Sequence, residues 1–478
     1  MDLKYKYFDP LLAISPIDGR HRIDLEPLSE YYSEFALIRN RIKMEVEYLI
    51  ALTDLESFSL LRYLSLDEKI LLRSIYEDFT LEDAQIVNQI DRFGYNGTPA
   101  LNHDVKACEY FLKTKLSGTS LHDIQEYVHF AITSEDCNNI AYNFMLVDSL
   151  QRFYFPKLKE FCDVLANLAL DYKDLAMLSK THGMDASPTT FGKEFANFLF
   201  RIQKEFEFLY SFKLPAKLNG AVGNFNAHYF IDPNINWIEF SSQFIANLGF
   251  EPNFMTTQIE SHDGFTKLFS SLASINNILY DFSVNMWLYL SKGYFVQQKI
   301  DGEVGSSVMP HKINPWRLEV AEASTREANA KIFGFINKLQ HSRFQRDLSD
   351  HEAQRAFGVA IGHSFLAVSH LLDEFSRLEV NSSIVTSDLD GVYNVVLEAV
   401  QTYLRTLDFE DPYEILKDFS RGKNINKQVF HDFIFSLQLS DQDQKYLLGL
   451  NPLNYTGLAS TLVERTVFNF QISKLQNL

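Results

Sequence analysis

The clearest pattern in the chain is an apolar run from Phe265 through Leu268, Leu272, Ile275, Leu279, Phe282 and Met286 to Tyr289, with spacings of 3, 4, 3, 4, 3, 4 and 3. Such a heptad seam predicts one uninterrupted helix of about 36 Å, at about 1.5 Å per residue. A helix that long buries its seam only against long neighbours, and the apolar runs at 138–175, 190–212, 316–340 and 353–375 can supply them. Tyr32, Phe35, Leu37, Ile38, Ile42, Val46 and Leu49 form a further helical face, beginning after Ser29. Phe191, Phe195, Phe198 and Ile202 mark another. Strict apolar/polar alternation, the mark of a half-buried strand, is almost absent. The pattern predicts an all-α fold, with a long central helical bundle at 123–375 and smaller helical domains at 1–122 and 376–478.

Chemistry-bearing residues gather where these seams break. Ser15-Pro-Ile-Asp-Gly-Arg20 is turn-rich. Residues 90–104 carry Gly94, Asn96-Gly97 and Pro99 before Asn102-His-Asp104, and helix resumes through Val105, Cys108 and Phe111. Thr133-Ser-Glu-Asp136 has the form of a capping box and predicts a helix start. Pro156 is expected to kink or end that helix. Thr181-His-Gly183, Ala186-Ser-Pro188, Asn219-Gly-Ala-Val-Gly223 and Asp408–Pro412 are further breaks. The most polar break is 302–315, GEVGSSVMPHKINP. Its glycines and prolines suit neither helix nor strand, so it reads as a surface loop. Ser306 and Ser307 supply hydroxyls, Lys312 a cation and Asn314 an uncharged donor. These are parts for taking a proton from a carboxylated substrate and stabilising the charge that follows.

Composition narrows the choice of partner. Lys and Arg total 44 against 62 Asp and Glu, a net charge of −18, which argues against nucleic acid because phosphate neutralisation needs a basic face. A small anionic substrate held by a local cluster of cations remains compatible. Three cysteines (Cys108, Cys137, Cys162) build neither a disulfide framework nor a zinc site and suit a reducing cytosol. The N-terminal stretch lacks the apolar core of a signal peptide. Ala356–Leu372 is uncharged, but Phe357, Ile361, Phe365, Val368 and Leu372 follow helical spacing, so it reads as a buried helix and not a membrane span.

Together these loops resemble the fumarase/aspartase superfamily, whose signature GSSxMPxKxNP matches Gly305-Ser-Ser-Val-Met-Pro-His-Lys-Ile-Asn-Pro315. Within it, the resemblance is to the adenylosuccinate lyases of the longer bacterial type. Arg20 and its turn, Asn102-His-Asp-Val-Lys-Ala107, Thr133-Ser-Glu-Asp-Cys-Asn-Asn139, Thr181-His-Gly183, Asn219–Asn224, Thr256-Thr-Gln-Ile-Glu260 and Arg346-Asp-Leu-Ser-Asp350 fall in the expected order. Pro412-Tyr-Glu and Ser420-Arg-Gly-Lys423 extend it. The resemblance implies three helical domains, a cytoplasmic homotetramer with active sites composed from three subunits, and no metal or organic cofactor. It implies elimination of fumarate from adenylosuccinate to give AMP, and from the succinyl-carboxamide ribotide of purine biosynthesis.

The resemblance also assigns roles. Ser306 would be the base, with Lys312 stabilising its anion, and Lys312 and Asn314 would hold the succinyl carboxylates. His182 would protonate the departing nitrogen, His103 would assist, and Glu319 would orient a histidine of another subunit. Asn102, Asp104, Thr133, Ser134 and Gln258 would contact polar groups of the substrate. Arg20, Arg346 and Arg355 would bind the nucleotide phosphate, which forked guanidinium groups suit, and His21 and His351 beside them are candidate substrate contacts. Read alone, Thr133–Asp136 is a helix cap and the two later arginines are solvated charges before they are substrate contacts, while His103 fits a surface turn or hydrogen-bonded core histidine, and His182 a helix terminus, as well as a catalytic role.

The chain departs from the family's pattern on the binding side. Leu101 stands where Thr is usual, Met184 where Gln is usual, His21 for Tyr, Val320 for Asn, and His351-Glu352 where hydroxyl residues are usual. An inward Glu352 would repel a phosphate. A paralogous lyase acting on another N-succinyl substrate, and an inactive structural homologue, are the alternatives these departures raise.

Overall fold

The computed structural model describes residues 9–97, 99–299, 302, 308–309, 311–473 and 475. The chain divides into two compact units. The first comprises Met1–Lys157, Phe208–Asn277 and Ala323–Ala367; the second comprises Leu158–Glu207, Ile278–Glu322 and Val368–Leu478. The elements that matter below are α1 (Glu34–Asp54), α2 (Asp104–Leu116), α3 (Ser134–Ser149), strands β1 (Ala176–Thr181) and β2 (Met184–Thr190), and the long helices α4 (Asp263–Ser291), α5 (Trp316–Leu339) and α6 (Phe357–Phe375).

The heptad seam forms α4 over two residues more at each end than the apolar run itself. From Phe265 to Met286 every seam residue is buried, and Tyr289 is half-buried. In the first unit, Phe269 meets Phe335 of α5 at 5.1 Å and Phe357 of α6 at 4.8 Å between ring centroids. In the second, Phe282 meets Phe161, Phe198 and Phe375 at 5.3, 5.1 and 5.2 Å. Aromatic edges and faces in these geometries add to the area they bury. A buried polar knot fixes the register: Asn276 Nδ2 donates to Asn329 Oδ1 and to Ser364 Oγ, each at 3.0 Å. Any slip of one helix would strand those amides without partners. The stretch His351–Phe375 is long and apolar enough to cross a membrane by length and composition, yet 61% of its apolar window is buried inside the protein.

α1 begins where Ser33 Oγ accepts from Ala36 N, a conventional N-cap. Ile38, Ile42, Val46 and Leu49 enter one core with α2, and Met44, Tyr48 and Leu52 enter a second. A third core, around Leu389, Val396, Val400, Leu416 and Phe430, lies in the second unit. Pro156 does not end the helix that Thr133 starts: a π-helical turn, Leu150–Tyr154, leads directly into a helix at Phe155–Asp171. A π turn shifts the hydrogen-bond ladder by one residue, which accommodates a ring lacking an N–H.

Short strands are the main departure from the expected pattern. β1 and β2 pair antiparallel, with Thr181 opposite Met184, so His182-Gly183 is a two-residue hairpin turn. Both turn residues have positive φ, 53° and 77°, as a type I′ turn demands. Alternation was not legible because Met177 and Leu178 are both buried at the start of β1, while β2 begins exposed and a register irregularity separates Met177 from Ser179.

The segment entering α3 is held by an ion pair between buried Glu45 and half-buried His129. Glu45 is 1% exposed and accepts from the His129 backbone N–H at 3.1 Å and from His129 Nδ1 at 2.5 Å. Burial works against the imidazolium, but the Glu45 charge and hydrogen bond prevail and raise the His129 pKa above its ordinary value. A raised folded pKa contributes stability that is whole below the ordinary imidazole value and is lost as pH rises through the elevated one. Urea titrations across that window should show parental stability declining with pH, and a His129→Gln protein should show a flatter profile. Parallel profiles would sink this assignment.

Candidate active site

A cleft of about 610 Å³ in the first unit gathers residues from four distant segments. Asn102, His103 and Asp104 come from the start of α2, Thr133 and Ser134 from the start of α3, Gln258 from the loop before α4, and Arg346, His351 and Arg355 from the stretch before α6. Nine expected site residues therefore share one wall-to-wall cavity. Glu34, Asp91, Arg92, Asn138 and Leu348 complete its lining.

Helix starts do much of the positioning. His103 is the N-cap of α2, and its Nδ1 accepts from Lys106 N at 3.2 Å, which leaves Nε2 as the nitrogen that carries hydrogen in the neutral ring. The surface-turn and substrate-facing readings of His103 are thus compatible. The same holds for Thr133, whose backbone N–H donates to Asp136 Oδ2 at 2.9 Å while Thr133 and Ser134 face the cleft.

The cations of the cleft are held in an extended network. Asp104 Oδ2 accepts from Arg41 Nη2 at 2.8 Å and from Arg355 Nη2 at 3.3 Å. Burial alone would raise the Asp104 pKa, but Arg41, the Val105 amide and Arg355 hold it at about 2. Arg41 is itself buried, and its Nε donates to Asn138 Oδ1 at 2.8 Å. Asn138 Nδ2 donates in turn to Glu135 Oε1 at 2.7 Å. Glu135 is fully buried, and its Oε1 lies 2.7 Å from Arg346 Nη1. Arg346 Nη2 lies 2.9 Å from His351 Nε2. Arg346 is thus oriented by the buried carboxylate of Glu135 and Arg355 by the half-buried one of Asp104, and both reach the cleft.

Asp136 ties the loops behind this wall together. Its two oxygens accept from the backbone N–H groups of Asn219 and Gly220, each at 3.0 Å, and pair with Lys217 Nζ at 2.9 Å. Lys217 is also fully buried and donates to Gln258 O at 2.7 Å. Gln258 Nε2 donates to Ala221 O at 2.9 Å. Gly223 approaches so closely that a Cβ there would meet Thr256 O at 2.3 Å, with φ at 81°. No other residue fits that junction without displacing the backbone beside Gln258.

Other expected residues lie elsewhere. Arg20 is exposed and His21 half-buried on the Pro16–His21 turn, and neither lines the cleft. His182 stands exposed at the tip of the β1–β2 hairpin in the second unit. Lys312 is exposed, Asn314 half-buried, and Glu319 sits in the first turn of α5, accepting from Trp287 Nε1 at 3.2 Å. Ser306 and Ser307 lie outside the described residues. Of the departures, Leu101 packs against the first core, Met184 is exposed beside the hairpin turn, Val320 is half-buried on α5, and Glu352 is exposed and absent from the cleft. The repulsion expected of an inward Glu352 therefore does not arise; His351 alone of that pair faces the cavity.

Arg41, Glu135 and Lys217 were not anticipated. Arg41 and Glu45 stand inside the apolar periodicity of α1, and a charge in that position is the signal that a buried partner exists. Glu135 and Lys217 carried no such signal, because capping boxes and strand-like Leu-Pro-Ala-Lys segments are common on surfaces.

Two family profiles match the chain. The lyase family profile matches residues 61–334, and the adenylosuccinate lyase C-terminal profile matches 342–456. The adenylosuccinate lyase of Buchnera aphidicola subsp. Acyrthosiphon pisum is 39% identical over 454 residues, covering 95% of this chain and 98% of the relative. That of Escherichia coli strain K12 is 38% identical over 455 residues, with the same coverage of 95% and 98%. Solved structures share the fold: fumarate lyase from Mesorhizobium sp. BNC1 has a TM-score of 0.71 at 17% identity, covering 93% of this chain and 97% of its own. The 3-carboxy-cis,cis-muconate lactonizing enzyme from Pseudomonas putida has a TM-score of 0.68 at 20% identity, covering 93% and 97%. The family profiles and the relatives' identity over nearly the whole chain make it a lyase of the fumarase/aspartase superfamily. Within it, the chain belongs to the adenylosuccinate lyase family, and neither the paralogous nor the inactive alternative is favoured.

Proposed function

We propose that this protein eliminates fumarate from adenylosuccinate to give AMP, and from succinyl-carboxamide ribotide to give the carboxamide ribotide. The observation that carries the reading is the cleft: nine residues from four segments converge there, in a chain 38–39% identical to enzymes named for this reaction. Elimination breaks a C–H bond and a C–N bond. A base takes the proton beside a carboxylate, the electron pair forms the double bond of fumarate, and an acid returns a proton to the leaving nitrogen. Ser306 is the proposed base, Lys312 and Asn314 the carboxylate donors, and His182 the proposed acid.

Arg346 and Arg355 are the proposed phosphate ligands, in keeping with their fixed orientation on the cleft wall. Arg20, His21, His182, Lys312 and Glu319 lie outside that wall, which suits a homotetramer whose sites are composed from several subunits. Three buried thiols agree with a cytoplasmic location. The division at 122 and 375 into three helical domains is part of the same proposal.

Fumarate release from adenylosuccinate by the purified protein, followed by absorbance, tests the reading directly; no turnover would refute it. Arg346→Ala should raise KM for adenylosuccinate by roughly 10–100-fold, since hydrogen bonds to charged groups contribute about 1.5–3 kcal/mol. It should change turnover far less. An unaltered KM would remove Arg346 from the phosphate site.

A further inference from the structure

We propose that nucleotide binding to this cleft draws a proton from solution onto His351, which takes over from Arg346 as the partner of the buried carboxylate of Glu135. The inference rests on the proposal that the cleft holds a nucleotide phosphate.

The starting arrangement is defined by three side chains. Glu135 is fully buried at the start of α3; besides Asn138 Nδ2, its Oε1 has Arg346 Nη1 at 2.7 Å and His351 Nε2 at 3.4 Å. Arg346 Nη2 is 2.9 Å from the same His351 nitrogen. A guanidinium can only donate, so His351 Nε2 accepts there and carries no hydrogen. The ring is neutral, with its hydrogen on Nδ1. Burial favours that form, outweighing the opposite pull of neighbouring Asp350.

A phosphate dianion entering between Arg346 and Arg355 changes this balance. Its oxygens compete with Glu135 for Arg346, because bidentate guanidinium–phosphate pairs are among the strongest charge-assisted bonds. A buried carboxylate that loses part of its cation is costly unless another charge replaces it. His351 is placed to replace it: freed from Arg346, Nε2 gains a proton and donates it to Glu135 Oε1. The proton comes from solvent, no bond in the nucleotide changes, and the protein side of the site gains one positive charge against the two negative charges the dianion brings. The other charged groups facing His351 are Arg355 and Asp104 from the cleft wall and Asp350 on its own segment. Asp104 stays ionised well below neutrality and both arginines remain cations, so none of them supplies or takes the proton.

A hydroxyl side chain in place of His351 could not take up this proton, so the coupling belongs to the imidazole. Titration calorimetry of AMP into the purified full-length protein at about pH 7.5, where AMP is essentially dianionic and a histidine is largely neutral, reads it directly. In two buffers of different ionisation enthalpy, the apparent binding enthalpies should differ by an amount equal to uptake of up to about one proton per site. His351→Ser and His351→Asn should both still bind AMP, more weakly, with uptake reduced to near zero. Equal enthalpies in the two buffers for the parent would overturn the inference while leaving the nucleotide site intact. Undiminished uptake in both variants would overturn it too, by moving the proton to another group. Failure of AMP to bind the parent at all would overturn the nucleotide reading and the inference with it.

Discussion

Ser306→Ala is expected to lower turnover of adenylosuccinate by about 10²–10⁴, the range general base catalysis supplies, with KM changed only a few-fold. The proton to be removed is weakly acidic, and its loss adds charge beside an existing carboxylate. A serine hydroxyl can take it only if its anion is stabilised, and Lys312 stands six residues further along the sequence. The alanine variant keeps every proposed phosphate ligand, so ground-state binding should survive while the C–H step fails. His182→Asn should show a comparable loss, and the double variant should be little worse than the poorer single one, because base and acid serve one elimination and either loss blocks it. Parental turnover in Ser306→Ala would end the proposed mechanism, whatever the substrate.

Asp136→Asn is expected to destabilise the protein by about 3–5 kcal/mol, the penalty for breaking a buried ion pair by removing one partner. Asp136 and Lys217 are both 0% exposed, so no solvent screens the ammonium once the carboxylate charge is gone. Two backbone N–H groups, of Asn219 and Gly220, also lose a charged acceptor. The same change should raise KM, because Thr133, Ser134 and Gln258 line the cleft on segments that Asp136 and Lys217 hold. Melting temperatures compared at equal protein concentration check the first effect and steady-state kinetics the second. Pairing Asp136→Asn with Lys217→Met should recover part of the lost stability, since the stranded cation is then absent. If Asp136→Asn melts with the parent, the pair does not carry the role given it here.

The two effects separate the chemistry from its scaffold. Ser306, as the proposed base, would act on the reacting atoms, and its loss should leave melting unchanged. Asp136 touches no proposed reacting atom and should move stability and binding together. A variant set showing the reverse division would require a different assignment of roles along the cleft.

Periodicity and a capping box together determined the all-helical architecture, the extent of α4 to within two residues at each end, the helix start at Thr133, and the resumption of helix through Val105. Heptad spacing and capping are local in the chain, so the sequence displays them directly. Motif order also named nine residues of the cleft. Folding alone decided that His182 sits on a hairpin tip rather than a helix end, that Glu352 turns away while His351 faces the cavity, and that Glu135 and Lys217 are buried charges with partners 211 and 81 residues away, respectively, in Arg346 and Asp136. Their burial is a sum over contacts from segments remote in the chain, and ionisable residues are buried only where such partners converge. No window of neighbouring residues contains that information.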